Sequence, residues 1–391
     1  MTGQQHVHPL RRLYHRVSFH PQRYRRTLFI ALIAIYSLST VVLFRLLDYP
    51  LPIVSATLIG IAVGDIGTIL LARWTRRSFA KLLEQWGICS VPRFLALSLT
   101  ALPAFLLADW RDLILIVPQL IGSLAYLQGF VIEPGWLHIS RHRMQSGHVK
   151  RDLRFVHLSD IHVARLSVRE EKALRIIGRF QPDYVFLTGD YLNLSHIHDP
   201  QAHEDLINFL KELTQIAPVI ACVGSPMVDP RDQSARLLQA AGVRLLGQTT
   251  EQESWHSDAD GLQVLAQDCS HHLSRDESQW HITRQLQRAD SLRVFLFHSP
   301  ELGPAIENES GMRPDIYLCG HTHGGQIRFW PFGALFTSSS TGLRFQQGAY
   351  QLADCRLYVS AGMGLEGGPA PRMRLFCRPE IGFWQIKGLY D

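Results

Sequence analysis

The chain has 391 residues, of which 46% are hydrophobic and 19% charged, with a formal net charge of +5. Much of that charge comes from arginines flanking apolar runs, which argues for anionic lipid headgroups and against nucleic acid as a partner. Six cysteines without paired spacing exclude a disulfide framework and fit reduced, buried thiols in a cytoplasmic setting.

The overall composition hides a division along the chain. Residues 1–26 form a basic segment containing Arg11, Arg12, Arg16, Arg23, Arg25 and Arg26. Residues 27–44, 94–108 and 113–132 then carry no charge, and residues 51–72 carry only Asp65. About 17–25 apolar residues cross a bilayer, a length the first and last runs reach. The run at 94–108 is shorter and contains Pro103, yet it counts as a span because four crossings return the chain to its starting side. Region 27–132 therefore reads as an all-α transmembrane region of about four helices.

Flanking charge sets the expected orientation. Arg73, Arg76, Arg77, Lys81 and Arg93 lie between the second and third runs, and the other two links are almost free of Lys and Arg. The positive-inside bias then puts the N-terminus, the middle link and everything beyond residue 132 in the cytoplasm, in a multi-pass protein of the inner membrane. Trp74 and Trp110 fall at the expected interfaces. No small-residue cleavage site follows the first run and more apolar runs come after it, so a cleaved signal peptide is the poorer interpretation. Asp65, in the stretch Gly60-Ile61-Ala62-Val63-Gly64-Asp65, is expected on a helix-packing face with its carboxylate hydrogen-bonded inside the bundle.

After a linker at 133–150, residues 151–391 read as one soluble domain, large enough for a single core. Apolar runs at 153–159, 183–188, 218–223, 243–246, 261–266, 292–297, 315–319 and 357–360 read as strands. Helical stretches at about 168–180, 204–215 and 233–241 alternate with the earlier ones. This order predicts an α/β domain with helices outside its sheets, and chemistry in the loops that follow the strands.

Four polar clusters close such runs: Asp160-Ile161-His162, Gly189-Asp190, His298 and Gly320-His321-Thr322-His323. Each alone is common, since a lone His among nineteen is ordinarily a surface or core residue. Together they supply two carboxylates and four imidazoles at strand exits that would open into one crevice. A site that attacks a phosphate ester with two cations needs a bridging carboxylate and neutral imidazoles that leave positions open.

These residues resemble the calcineurin-like metallophosphoesterases, within them the membrane-associated bacterial branch. The resemblance runs from about residue 153 to 386. It includes Ser159-Asp160-Ile161-His162, Leu187-Thr188-Gly189-Asp190, Phe297-His298-Ser299-Pro300, Arg378-Pro379-Glu380-Ile381 and, most specific of all, Gly320-His321-Thr322-His323-Gly324-Gly325-Gln326. It implies two mixed β-sheets packed face to face and flanked by helices. It also implies a first metal on Asp160, His162 and His323, a second on His298 and His321, and Asp190 as bridge. The cofactors would be two divalent ions, Mn, Fe or Zn, and a metal-bound hydroxide would attack phosphorus.

One family box departs. Where Gly-Asn-His-Asp or Gly-Asn-His-Glu should follow the run at 218–223, this chain has Gly224-Ser225-Pro226-Met227. The resemblance makes Ser225 the position of an Asn ligand to the second metal, which would then be weakened, and Pro226 that of a His that assists the leaving group. Water, the Ser225 hydroxyl, Asp229, His196 or His198 are the candidates to fill the gap. Two function classes follow. One is a membrane-anchored phosphoesterase acting on a phosphate mono- or diester, lipid-linked if it is drawn from the bilayer. The other is a degenerate metal-binding or regulatory membrane protein that keeps the fold. Arg165, Arg344, Arg372 and Arg374 are candidates for holding phosphate. Trp330, Phe332, Phe336 and Phe345 are candidates for an acyl-chain contact, though such residues are more often core.

Overall fold

The computed structural model describes residues 22–247, 254–329, 331–334, 336–367 and 371–389, so Arg11, Arg12, Arg16 and Trp330 lie outside them. The described residues form two compact units, one drawn from within 1–135 and 366–375, the other from within 136–365 and 376–391.

The first unit is built on four helices long and apolar enough to cross a membrane: Gln22–Leu46, Leu51–Trp74, Leu82–Leu106, and Arg111–Tyr126 continued by a π-helical stretch Leu127–Ile132. Their outward faces are apolar, with Leu38, Ile59, Val63, Leu99 and Leu124 exposed, the pattern of helices whose solvent is lipid. The third helix begins at Leu82, twelve residues before the apolar run at 94–108, and carries Pro92 and Pro103 within it. Arg93 therefore belongs to this helix and not to the link before it. It escaped the hydropathy pattern because its charge is neutralised inside the bundle: its guanidinium meets Asp65 at 2.6 and 3.3 Å, and both side chains are buried. The same guanidinium donates to Ser123 Oγ at 2.8 Å and to the Gln119 carbonyl. Asp65 is thus hydrogen-bonded inside the bundle as expected, but the expected glycine packing face is not there: Gly60 and Gly64 are exposed, with no neighbour among the described residues within 4 Å of where a Cβ would stand.

The second unit is a two-sheet sandwich. In chain order its strands are β1 (His138–Ser146), β2 (Leu153–Leu158), β3 (Tyr184–Leu187), β4 (Val219–Ala221), β5 (Arg244–Leu245), β6 (Ser254–Ser257), β7 (Leu262–Ala266), β8 (Leu292–Leu296), β9 (Ile316–Cys319), β10 (Arg328–Phe329), β11 (Gly333–Ala334), β12 (Gly348–Leu352), β13 (Cys355–Val359) and β14 (Glu380–Gly388). One six-stranded sheet has the order β1-β14-β2-β3-β4-β5, the other β12-β13-β9-β8-β7-β6, and β10 pairs with β11 alone. In the first sheet β2 to β5 run parallel and β14, itself parallel to β1, joins β2 antiparallel; in the second β7, β8, β9 and β13 run parallel, with β6 and β12 antiparallel at the edges.

Strand alternation explains the layers. Phe155, Phe186, Ile220 and Trp384 of the first sheet share a core with Val264, Val294, Leu318 and Tyr358 of the second, so the sheets pack face to face. Val156, Val185 and Val219 point the other way, onto the helices Val168–Phe180 and Pro200–Ile216 through Ile177, Phe209 and Leu213. On the far side of the second sheet, Phe295 and Tyr317 pack on Trp280 of the helix Leu273–Thr283.

The expected linker at 133–150 needs correction. Residues 138–146 are the edge strand β1, paired with β14 along its whole length. An edge strand keeps its charges in water, and the His-Ile-Ser-Arg-His-Arg sequence has no apolar run to betray it.

Candidate metal centre

Every polar cluster of the sequence lies beyond the carboxyl end of a parallel strand: Asp160 and His162 after β2, Asp190 after β3, Gly224 and Ser225 after β4, His298 after β8, and His321 with His323 after β9. The loops after β2 and β3 are laced together, the Asp160 and His162 amides each donating at 3.0 Å to the Gly189 and Asp190 carbonyls. Glycine permits the close approach between the loops after β9 and β2. A Cβ on Gly320 would stand 2.0 Å from both Asp160 Oδ2 and Ser159 Oγ. Asp160, His162, Asp190, His321 and His323 all hold φ in the left-handed region, at 50°, 48°, 56°, 68° and 51°. Each such residue costs about 1–3 kcal/mol, a strain kept where side chains must point to one place.

That place is small and buried. His162 Nε2 lies 3.1 Å from His323 Nε2. His323 Nε2 lies 3.4 Å from Asp160 Oδ1. The two oxygens of Asp190 divide between two groups: Oδ2 is 3.6 Å from His162 Nε2 and Oδ1 is 3.3 Å from His298 Nε2. The far ring nitrogens face the backbone, His298 Nδ1 donating to the Thr188 carbonyl at 2.7 Å and His162 Nδ1 to that of Leu192 at 3.3 Å. When these rings are neutral, as metal binding requires, the backbone bond at Nδ1 leaves Nε2 with its lone pair aimed inward.

Electrostatics follow from burial and crowding. Burial works to protonate Asp190, but His298, with help from His162 and His321, outweighs it and holds the carboxyl well below the usual range. Burial would lower the His298 imidazole, yet Asp190 and Asp160 drive it up to about 10. Burial and the neighbours His271 and His298 push His321 far down, so that it is neutral, and its buried Nε2 has no hydrogen-bond partner. A neutral imidazole with an unused buried lone pair beside carboxylates is a donor set suited to a divalent cation. The residues fit such ions. Among the described residues, three groups converge closely enough to hold one: Asp160, His162 and His323; Asp160, Asp190 and His298; and His271, His298 and His321.

His271 was not among the residues singled out in the sequence. It follows β7 at a distance, in the polar stretch Gln267-Asp268-Cys269-Ser270-His271, and the available signal was the same one: a His in the loop after an apolar run. The altered box sits within this cluster. Ser225 Oγ is 3.1 Å from His298 Nε2, 3.3 Å from Asp190 Oδ2 and 3.0 Å from His271 Nε2, while Pro226 is exposed. Asp229 is not free to ligate: it accepts from the amides of Asp190, Gly224 and Tyr191. His196 and His198 join none of the three converging groups among the described residues.

The arginines are otherwise engaged. Arg165 pairs with Asp199 at 2.8 Å and Arg344 with Glu307 at 2.6 Å, while Arg372 and Arg374 are buried in the first unit, within the segment 366–375. Phe345 is core, Phe332 is exposed and Phe336 is half-buried.

No family model matches the chain. Curated relatives do. The phosphodiesterase YaeI of Escherichia coli is 26% identical over 267 residues, covering 65% of this chain and 90% of that protein. The uncharacterized metallophosphoesterase YkuE of Bacillus subtilis is 23% identical over 66% of this chain and 87% of its own length. One from Aquifex aeolicus, also named an uncharacterized metallophosphoesterase, is 25% identical over 70% of this chain and 98% of that protein. Over about two thirds of its length the chain is similar to proteins named as a phosphodiesterase and as metallophosphoesterases. A metallophosphoesterase works with divalent metal ions, and the converging His and Asp side chains here are the residues able to hold them.

Proposed function

We propose that the protein is a membrane-anchored, metal-dependent phosphoesterase that hydrolyses a phosphate mono- or diester. Asp160, His162 and His323 hold one divalent cation, His298 and His321 hold a second, and Asp190 bridges them. What carries this proposal is Asp190, a buried carboxylate whose two oxygens face two different histidine groups. Divalent cations bound there supply Lewis acidity toward a phosphoryl group and an activated water. The chain's own part is to orient: Thr188 and Leu192 carbonyls hold the tautomers of His298 and His162, and Asp229 fixes the loops that carry Asp190 and Gly224. The name of the Escherichia coli relative favours a diester.

A cleft of about 560 Å³ adjoins the altered box, lined by Gly224, Pro226, Arg231, Ser270, Arg275 and Ile282. Asp229, Asp268 and Asp276 also line it, with Arg231 paired to Asp268, so what speaks for a substrate with an apolar tail is the four membrane-length helices, which would keep such a substrate near. We therefore favour a lipid-linked phosphate ester, met at the cytoplasmic face of the inner membrane, the side given by the arginines around the first and third helices. A second function remains in play because Pro226 has no proton to give. A degenerate member would hold metal and regulate or bind without hydrolysis.

Metal analysis of detergent-purified protein, paired with hydrolysis of an aryl phosphodiester in added Mn²⁺, separates the two. Two metals per chain with turnover is the expected result, and Asp190→Asn should lose metal and turnover together. Turnover of that variant at the unaltered rate would sink the bridging role. Metal without turnover, acquired only in Ser225→Asn/Pro226→His, would favour the binding protein.

A further inference from the structure

The altered box removes an amide ligand, and the structure places another side chain over the gap. We propose that His271 is a ligand of the second cation, taking through space the coordination position that Ser225 is too short to reach. This rests on the metal centre proposed above.

Four observations converge on His271. Its Nε2 lies 3.0 Å from Ser225 Oγ, and that hydroxyl in turn lies 3.1 Å from His298 Nε2, so the ring points into the second group across the shortened residue. The ligand atoms of His271, His298 and His321 all fall within 4.8 Å of one another, and the His271 ring is 4.5 Å from that of His321. His271 holds φ at 55°, the same left-handed backbone as the five strained residues of the centre. The carboxylate of buried Glu301 stands 3.8 Å from its Nδ1, the ring nitrogen other than the one that faces Ser225, where an outer carboxylate orients a ligating imidazole.

The loop that carries the ring is itself anchored. Asp276, in the first turn of helix Leu273–Thr283, accepts from the Ser270 amide at 3.0 Å, and its carbonyl accepts from Gln267 Nε2 at 2.8 Å. A ligand held on such a fixed loop is pre-organised. His272, by contrast, is exposed, and is the natural control.

The test is Co²⁺ titration of chelator-stripped, detergent-purified full-length protein, read by elemental analysis and by the visible d–d absorption of the bound ion. The unaltered protein and His272→Ala should take up two Co²⁺ per chain. His271→Ala should keep one and bind the second at least about tenfold more weakly, with a changed spectrum. His271→Asn, which retains a ligand atom and guards against misfolding, should lose less, and Ser225→Asn placed in His271→Ala should recover the second ion. Two tightly held Co²⁺ with an unaltered spectrum in His271→Ala would overturn the assignment, as would a loss of turnover in that variant with full metal content, which would make His271 a proton donor. Absence of Co²⁺ from the unaltered protein would instead overturn the metal centre as a whole.

Discussion

Asp229 illustrates how much of this centre is held by residues that face away from it. Its carboxylate is buried and accepts from the backbone amides of Asp190 at 2.7 Å, Gly224 at 2.9 Å and Tyr191 at 3.0 Å, tying the loops after β3 and β4 together. Burial, and then the nearby charge of Asp190, push this carboxyl up to about 7. Asp229→Ala would leave three amides without that acceptor. Since each unsatisfied buried donor costs about 1–3 kcal/mol, the variant should unfold at clearly lower temperature in detergent, with a loss of about 3 kcal/mol or more. Asp229→Asn keeps a carbonyl oxygen and should lose less, and an unchanged melting temperature for the alanine variant would contradict the tie. Gly224 survives in the altered box for a related steric reason: a Cβ there would stand 2.3 Å from Asp190 Oδ1. The convergence of the six side chains singled out in the sequence was legible because each sits close behind an apolar run. His271 was not, because its meaning depends on Ser225, distant in sequence and 3.0 Å away in space.

At the scale of elements, strand alternation and helix length were written plainly, while charge compensation was not. The eight apolar runs of the soluble region became strands because each feeds one or two cores, and β1 was hidden because an edge strand need not be apolar. Arg93 misled in the opposite sense, since a charge inside an apolar stretch reads as its boundary unless a partner is known. Asp65 is that partner, and the pair joins the helices Leu51–Trp74 and Leu82–Leu106. Removing one member strands the other. Arg93→Ala should destabilise the detergent-solubilised protein by about 3–5 kcal/mol, and Arg93→Leu/Asp65→Leu should restore much of that loss. A double variant no more stable than the single one would show that the pair is not what holds the charge inside.

At the scale of the whole molecule, the chain does not pass once from one unit to the other. Residues 366–375 leave the sandwich and return to the helical unit, where the Arg374 amide donates to the Gly129 carbonyl at 2.9 Å and the Arg372 amide to Gln85 Oε1 at 2.8 Å. Arg374 is wholly buried there. Residues 136–391 expressed alone should therefore aggregate, because this segment loses its partners. The same fragment with 366–375 replaced by a Gly-Ser linker should stay in solution, as read by sedimentation. Equal solubility of the two fragments would mean that the helices do not protect the segment.

The sequence by itself determined the membrane-length helices, the α/β order and the carboxylates and imidazoles at the strand exits, because each is a local pattern: uncharged length, period-two burial, and polar residues where an apolar run stops. Only the tertiary structure decided that the two parallel strand sets end at one place, that Asp190 turns one oxygen to each histidine group, that Asp229 is spent on backbone amides, and that His271 stands over Ser225. The physical reason is common to all four. A ligand set is fixed by distances between side chains, and distances across two packed sheets arise from register and loop conformation, which no stretch of sequence holds alone.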